Sequence, residues 1–286
     1  MSERFVDRLT LQQIDRDIFT GICHAGSPQR AFGGQVAAQA LVAATQTVED
    51  PNRPVHSLHG YFLRAGRPTD PIVYLVDRPR DGRSFSTRLV KAVQYGETIF
   101  TMSASFAVPD EGPEHAFDMP DVPGPETLQA RPIDLNTATQ MREGEQLNGG
   151  LLDFRLVGID ESHAPQMGQP QRLAWIKAHD SLPKDAWVQP CALTYFSDLT
   201  LVGTALAPHG GRQPNRDLML ASLDHAMWFH RPFRADEWIL FVQMTPVARS
   251  GRGLAYGLFY TEDGKVVASA VQEVLMRHIR DRSEGQ

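Results

Sequence analysis

GKVVASAVQEV (residues 264–274) aligns without a gap on GETIFTMSASF (96–106). Each stretch opens on a turn glycine and continues with the two-residue period of a strand that has one covered face. In the later stretch Val266, Ala268, Ala270 and Val274 form the more apolar set, the better candidate for the core side, and Gln272 interrupts them. The matching set in the earlier stretch is Thr98, Phe100, Met102, Ala104 and Phe106, with Ala104 in the place of Gln272. One copy of the pattern therefore carries a core-facing amide that the other lacks.

The match extends outward in both directions. AFGGQVAAQALVAATQTV (31–48) reads as a helix opened by a glycine pair, and PVHSLHGYFLRAG (54–66) as a strand. Residues 69–108 read as three antiparallel strands that turn at Arg80-Asp81-Gly82 and at Tyr95-Gly96. The second half repeats the order: PCALTYFSDLTLVGTAL (190–206) as one mostly apolar helix, LMLASLDHAMWFHRPF (218–233) as a strand, and residues 237–277 as three strands. SLHGYFLR (57–64) answers SLDHAMWFHR (222–231). A repeat of 168 residues (264 minus 96) is too long for a solenoid unit and implies two copies of one domain. The expected boundaries are 1–108 and 151–286, joined by a Pro-rich, acidic linker at 109–150. A largely apolar helix followed by antiparallel strands is α+β, a sheet wrapped around a buried helix. It resembles a tandem, or double, hot-dog fold.

Composition narrows the class. The 286 residues suffice for two domains of moderate size, and 42% hydrophobic with 22% charged residues is ordinary for a globular chain. No apolar run reaches bilayer-spanning length, and MSERFVDRLTLQQ is too charged for a secretory signal. RSEGQ at the C-terminus is no lipidation or peroxisomal address. Two cysteines, Cys23 and Cys191, make no disulfide framework and favour a reducing cytoplasm. A net charge of −6 argues against nucleic acid as a partner.

FGGQVAAQAL (32–41), HSLHGYFLRAG (56–66), DGRSFSTR (81–88), MSASF (102–106), SDLTLVGTALAPHG (197–210), SLDHAMWFHRPF (222–233) and ASAVQEVLMR (268–277) together resemble the acyl-CoA thioesterase II family. Its members are double hot-dog enzymes that hydrolyse acyl-CoA thioesters. The resemblance runs from about residue 8 to residue 277 and is weakest across 109–170. It implies an acyl-CoA substrate, no cofactor, and self-association as a homodimer or homotetramer. The family's catalytic set is an Asp on the second helix, a Thr on the strand leading into the D-H-x-M-W-F-H run and a Gln on the last strand. On this chain it maps onto Asp198, Ser222 and Gln272. Ser222 departs from the family Thr but keeps the hydroxyl.

Thioester hydrolysis needs an activated water, a stabilised oxyanion and a sheltered pocket. The expectation is that Asp198 acts as general base while Ser222 and Gln272 align the water. Each residue also has an ordinary structural explanation: a capping or ion-paired Asp, a strand serine, a satisfied buried amide. Backbone N–H groups at a helix N-terminus suit the oxyanion, and Gly33 and Gly34 open the first helix. The first copy's helix, VAAQALVAA, has no acid matching Asp198, so one site per chain is expected. Arg78, Arg80, Arg83 and Arg88 cluster at one turn, with Arg249 and Arg252 at the matching turn, and are candidates for holding the phosphates of coenzyme A. Two other readings stay open: a hot-dog enoyl-CoA hydratase built around His59, and a non-catalytic acyl-CoA binding module. His225 and His230 read as structural histidines. His56-x-x-His59 lacks further metal ligands, and no metal is assigned. The sequence contains no Gly-x-Ser-x-Gly nucleophile motif.

Overall fold

A computed structural model describes residues 4–23, 25–27, 30–130, 151–158, 172–209 and 218–279. The second part of the expected linker (131–150) and the C-terminal residues 280–286 lie outside the described residues. The first half runs Gln12–Asp15 (β1), Ile18–Ile22 (β2), Ala25–Ser27 (β3), Arg30–Ala31 (β4), Gly33–Thr45 (α1), Val55–Phe62 (β5), Pro71–Asp81 (β6), Phe85–Gln94 (β7) and Glu97–Ala107 (β8). The second runs Leu152–Leu156 (β9), Arg172–Ala178 (β10), Val188–Ser197 (α2), Leu201–Leu206 (α3), Leu218–Ser222 (β11), Asp224–Phe229 (β12), Ile239–Arg249 (β13), Arg252–Thr261 (β14) and Val266–His278 (β15).

Strand order is β1-β2-β6-β7-β8-β5 in the first half and β12-β15-β14-β13-β10-β9 in the second, with β11 also on β15. The two series are the same series run in opposite directions. They fuse because β5 pairs antiparallel with β12, Tyr61 opposite Asp224 and Ser57 opposite Trp228. The result is a single 13-stranded antiparallel sheet in place of two separate ones. Tyr95-Gly96 and Ser250-Gly251 both have positive φ at two successive positions, the primed turn that suits the right-handed twist of the strands they join.

Alternation along β15 follows the expected parity. Ala268, Ala270, Gln272 and Val274 are buried on the inner face, while Ser269, Val271 and Glu273 face outward and are half-buried. The inner face encloses α1, whose residues Gly34–Ala44 are all buried, and α2, which packs against it. A helix covered on every side needs no polar stripe, which accounts for the Ala/Val/Leu composition of α1. Residues 119–128 do not hang free as a linker. Met119, Val122 and Leu128 cover an outer cluster that includes Trp175, Trp238, Leu240 and Tyr260. Trp175 Nε1 donates to the Pro123 carbonyl and Trp238 Nε1 to Glu126.

The expected single helix over 190–206 is two helices. The chain leaves the helix at Asp198–Thr200, where Leu199 N–H closes a tight turn on the Phe196 carbonyl and Thr200 takes φ −131°. Gln243 on β13 holds the break: its fully buried Oε1 accepts the hydroxyls of both Thr200 and Thr204, each at 2.8 Å. Gln243→Leu leaves the Thr200 hydroxyl buried without its acceptor, an expected cost of about 1–2 kcal/mol. Calorimetry should show a melting temperature a few degrees lower, together with a several-fold loss of turnover as Asp198 loosens. The strand expected over 218–233 is likewise interrupted at Leu223, whose N–H bonds to the Glu273 carbonyl and whose carbonyl accepts Phe62 N–H.

Candidate active site

The helix break gives Asp198 its position. As the C-cap of α2 it turns away from the helix and towards the N-terminal turn of α1, which belongs to the other half of the chain. Contact at this point requires glycine. A Cβ on Gly33 would lie 2.8 Å from Asp198 Oδ2 and 3.0 Å from the Phe62 ring. On Gly34 it would lie 2.7 Å from both the Phe32 ring and the Tyr195 carbonyl oxygen. The Gly34 N–H lies close enough to the Asp198 carboxylate to favour its ionised form. The positive end of the α1 dipole also points there, an effect of about 0.3–1 kcal/mol in exposed sites and more where solvent is excluded.

Strands β11 and β15 supply the remaining polar groups. Ser222 Oγ donates to Asp198 Oδ1 at 3.0 Å, and Gln272 Nε2 donates to Ser222 Oγ at 2.7 Å. The Gln272 amide also favours the ionised form of Asp198. Behind Gln272 stands His225, with Nδ1 2.6 Å from Gln272 Oε1 and Nε2 2.7 Å from Ser197 Oγ. Gln272 and His225 are fully buried, whereas Asp198 keeps 8% exposure. The structure thus gathers Asp198, Ser222, Gln272, Gly33 and Gly34 in one place. A carboxylate held by directed donors beside a helix N-terminus can take a proton from water next to a site suited to negative charge.

Two family models match the chain: acyl-CoA thioesterase over residues 154–275 and acyl-CoA thioesterase N-terminal domain over residues 24–107. Acyl-coenzyme A thioesterase 8 of Rattus norvegicus is 38% identical over 282 residues, covering 94% of this chain and 87% of that protein. Acyl-CoA thioesterase 2 of Haemophilus influenzae is 38% identical over 274 residues, covering 94% and 95%. This chain belongs to the acyl-CoA thioesterase family. Among solved structures, the acyl-CoA thioesterase II TesB2 of Mycobacterium marinum superposes with a TM-score of 0.81 at 44% identity, covering 96% of this chain and 98% of that one. A hot-dog-fold protein from Alicyclobacillus acidocaldarius, at 21% identity and a TM-score of 0.76, shares the fold.

In this acyl-CoA thioesterase, burial pushes the Asp198 carboxyl above its ordinary range. The proximity of His225, the Ser222 hydroxyl, the Gln272 amide and the Gly34 N–H pull it part of the way back. Burial pushes His225 the other way, towards the neutral imidazole, against the pull of Asp198, Gln272 and Asp224.

The first half shows what the thioesterase looks like without these groups. Ala104 stands between Leu58 on β5 and Arg88 on β7, as Gln272 stands between β12 and Ala255 on β14. The space is filled from the side by Arg88. Its five N–H groups go to Thr47 Oγ1, the carbonyls of Thr47, Arg80 and Thr87, and Asp81 Oδ1. Thr47 follows α1 much as Asp198 follows α2, so the position equivalent to the active centre is closed by a buried guanidinium.

This corrects the arginine assignment. Arg88 has no donor left for a phosphate, Arg78 is ion-paired with Asp17 and Glu49, and both lie at the C-terminal end of α1, away from Asp198. Arg83 is exposed at the same turn, its carbonyl accepting from Arg53. Arg252, paired with Glu273, is on the hairpin beside the end of β15, nearer Gln272. His59 is not brought to the site either. It alternates with the inward Leu58, faces outward, and packs edge-on against Trp228 at a centroid distance of 5.0 Å. A hydratase centred on His59 therefore has its histidine on the wrong side of the sheet.

Sequence reasoning passed over His225 and Ser197. A signal was present: counting back from the shared Phe62-x-Arg64 and Phe229-x-Arg231 places His225 on Leu58. That is the same polar-for-apolar exchange that singled out Gln272 against Ala104.

Proposed function

We propose that this chain hydrolyses fatty acyl-CoA to the free fatty acid and coenzyme A, with one catalytic centre per chain. The observation that carries this reading is the directed hydrogen-bond chain that ends on Asp198: Gln272 Nε2–H donates to Ser222 Oγ, and Ser222 Oγ–H donates to the buried carboxylate beside the α1 N-terminus. Asp198 takes the proton from a water that adds to the thioester carbonyl. Ser222 and Gln272 hold the carboxylate and the water in register. The α1 N-terminus at Gly33–Gly34 faces the developing oxyanion. Collapse of the tetrahedral adduct expels the coenzyme A thiolate, and the proton held by Asp198 returns to the sulfur or to solvent. No metal or organic cofactor enters these steps. A cytoplasmic location fits the two cysteines, both buried and neither in a disulfide, with burial pushing the Cys23 thiol up to about 12. Among the described residues no helix is long and apolar enough to cross a membrane.

Thiol release from short-, medium- and long-chain acyl-CoA substrates tests the activity, and no release from any of them would end this reading. The pH profile tests the base. Asp198 acts when ionised and its carboxyl is shifted upward. The acid limb of kcat/KM should accordingly fall off at a pH above the ordinary carboxylate range, activity being lost as pH drops through the raised value. A limb at the value of a free aspartate would contradict the assignment.

A further inference from the structure

Gln272 has two ends, and only its amino end can serve a carboxylate. An amide whose carbonyl oxygen turned towards Asp198 would repel it and could donate nothing to Ser222. Nothing on β15 itself decides between the two orientations, because a glutamine amide flips about a single bond. His225 decides it. With Nδ1 2.6 Å from Gln272 Oε1 and the ring fully buried, a protonated Nδ1 can donate only to the oxygen end of the amide at that contact. The carbonyl oxygen of Gln272 at Nδ1 requires the ring hydrogen there, which leaves Nε2 of the neutral imidazole bare. Ser197 Oγ, 2.7 Å from Nε2 and 2.9 Å from the Thr194 carbonyl, then turns its one hydrogen to the ring. Every donor in the chain then points one way: Ser197 Oγ–H to His225, His225 Nδ1–H to Gln272, Gln272 Nε2–H to Ser222, and Ser222 Oγ–H to Asp198.

We propose that His225 and Ser197 are positioning residues for the hydrolysis: His225 locks the Gln272 amide with its N–H groups towards Ser222, and Ser197 holds the imidazole from its other nitrogen. The first half supports a role tied to the amide. Where Gln272 is replaced by Ala104, the residue at the His225 position is Leu58, which contacts Ala104 across the strands. Ser197 is placed for its part by α2, whose last turn leaves its hydroxyl between the Thr194 carbonyl at 2.9 Å and the imidazole. The inference rests on the catalytic reading of Gln272 given above.

The test uses the full chain and a saturated medium-chain acyl-CoA, with kcat and KM measured separately. His225→Leu, which installs the residue of the first half, is expected to lower kcat by about 10²-fold, near the cost of losing one aligned donor. KM should move less than about threefold, because the acyl-CoA contacts are untouched. Asn at this position can present its amide nitrogen near the place of Nδ1, so His225→Asn should recover at least about tenfold of the loss, whereas a merely space-filling role would favour Leu. Ser197→Ala should cost about threefold to tenfold, since the imidazole is then held only by Gln272. The deciding measurement is the double variant. If His225 acts through Gln272, His225→Leu with Gln272→Ala turns over no more slowly than Gln272→Ala alone. Multiplication of the two losses would overturn the proposal, as would full activity in His225→Leu, or a leucine variant that outperforms the asparagine. If the leucine variant does not fold, the cycle is run with His225→Asn and Ser197→Ala, where multiplication with Gln272→Ala has the same meaning. These outcomes are distinct from failure of the thioesterase reading, which would appear as wild-type chain releasing no thiol or as Gln272→Ala retaining full kcat.

Discussion

Asp198→Asn is expected to lower kcat for acyl-CoA hydrolysis by about 10³-fold, the contribution of a positioned general base. KM should change by less than about threefold, because the substitution removes an interaction made in the transition state and leaves the substrate surface in place. Asparagine has the shape of aspartate and keeps one oxygen to accept the Ser222 hydroxyl. It cannot hold a proton taken from water. The same substitution has a signature in stability. A carboxyl whose folded-state value lies above its unfolded value binds a proton more tightly when folded. Its ionised form therefore costs stability above the folded value, and that cost disappears as pH falls below the unfolded one. Burial places Asp198 in this class. Measured side by side across pH, the melting temperature of Asp198→Asn should gain on that of the wild type as pH rises through the carboxylate range. The wild type thus tolerates a destabilising charge at the place where the chemistry needs a base. Retention of a tenth or more of wild-type kcat would show that the base lies elsewhere.

Arg88→Ala is expected to have the largest effect on stability and almost none on chemistry. The guanidinium is fully buried, and all of its donors are used. Truncation empties most of a large side-chain volume and strips the donors from the Thr47 and Arg80 carbonyls. The combined loss is about 3–5 kcal/mol from cavity formation and unpaired buried polar groups. Asp81 is half-exposed and can be rehydrated, so it adds little. Thermal denaturation should fall by roughly 10 °C for a chain of this size. In the fraction that stays folded, kcat/KM should remain within about twofold, because Arg88 stands at the far end of α1 from Asp198. A large loss of affinity for acyl-CoA with unchanged melting would instead restore Arg88 to a phosphate-binding role.

Much of the architecture could be read from period and repetition. The parity of Ala268, Ala270, Gln272 and Val274 put the right face of β15 inward, since the two-residue alternation is local and needs no partner to be recognised. Val266, expected on the same face, joins the outer cluster because the register shifts between Ala268 and Val266. The positions of Asp198 and Ser222 came from family resemblance, because nothing in the local sequence marks Asp198 as other than a helix residue. What escaped was long-range. The break that turns Asp198 out of the helix depends on Gln243, about forty residues away, accepting from Thr200 and Thr204. The meeting of Gly33 with Asp198 depends on how α1 and α2 pack. Arg88 was misjudged for a different reason. A cluster of arginines at a hairpin looks solvated, yet parity along β7 places Arg88 with Val90 and Ala92, all buried. That alternation was available and outweighs composition. The same is true of His225, which alternates with the half-buried Asp224 and Ala226.

The pairing of β5 with β12 has a consequence for how such a protein can change over generations. Were the two halves separate identical chains meeting along this seam, every substitution would be made twice, and no site could be altered while its twin was spared. Within one polypeptide the twins are independent addresses. Leu58, Arg88 and Ala104 could drift towards filling space while His225, Ala255 and Gln272 were held to a task. Neither half could be discarded, because Asp198 needs the glycines of the other half and each seam strand needs its partner's edge. Joining two equal parts end to end freed them to become unequal and made them inseparable.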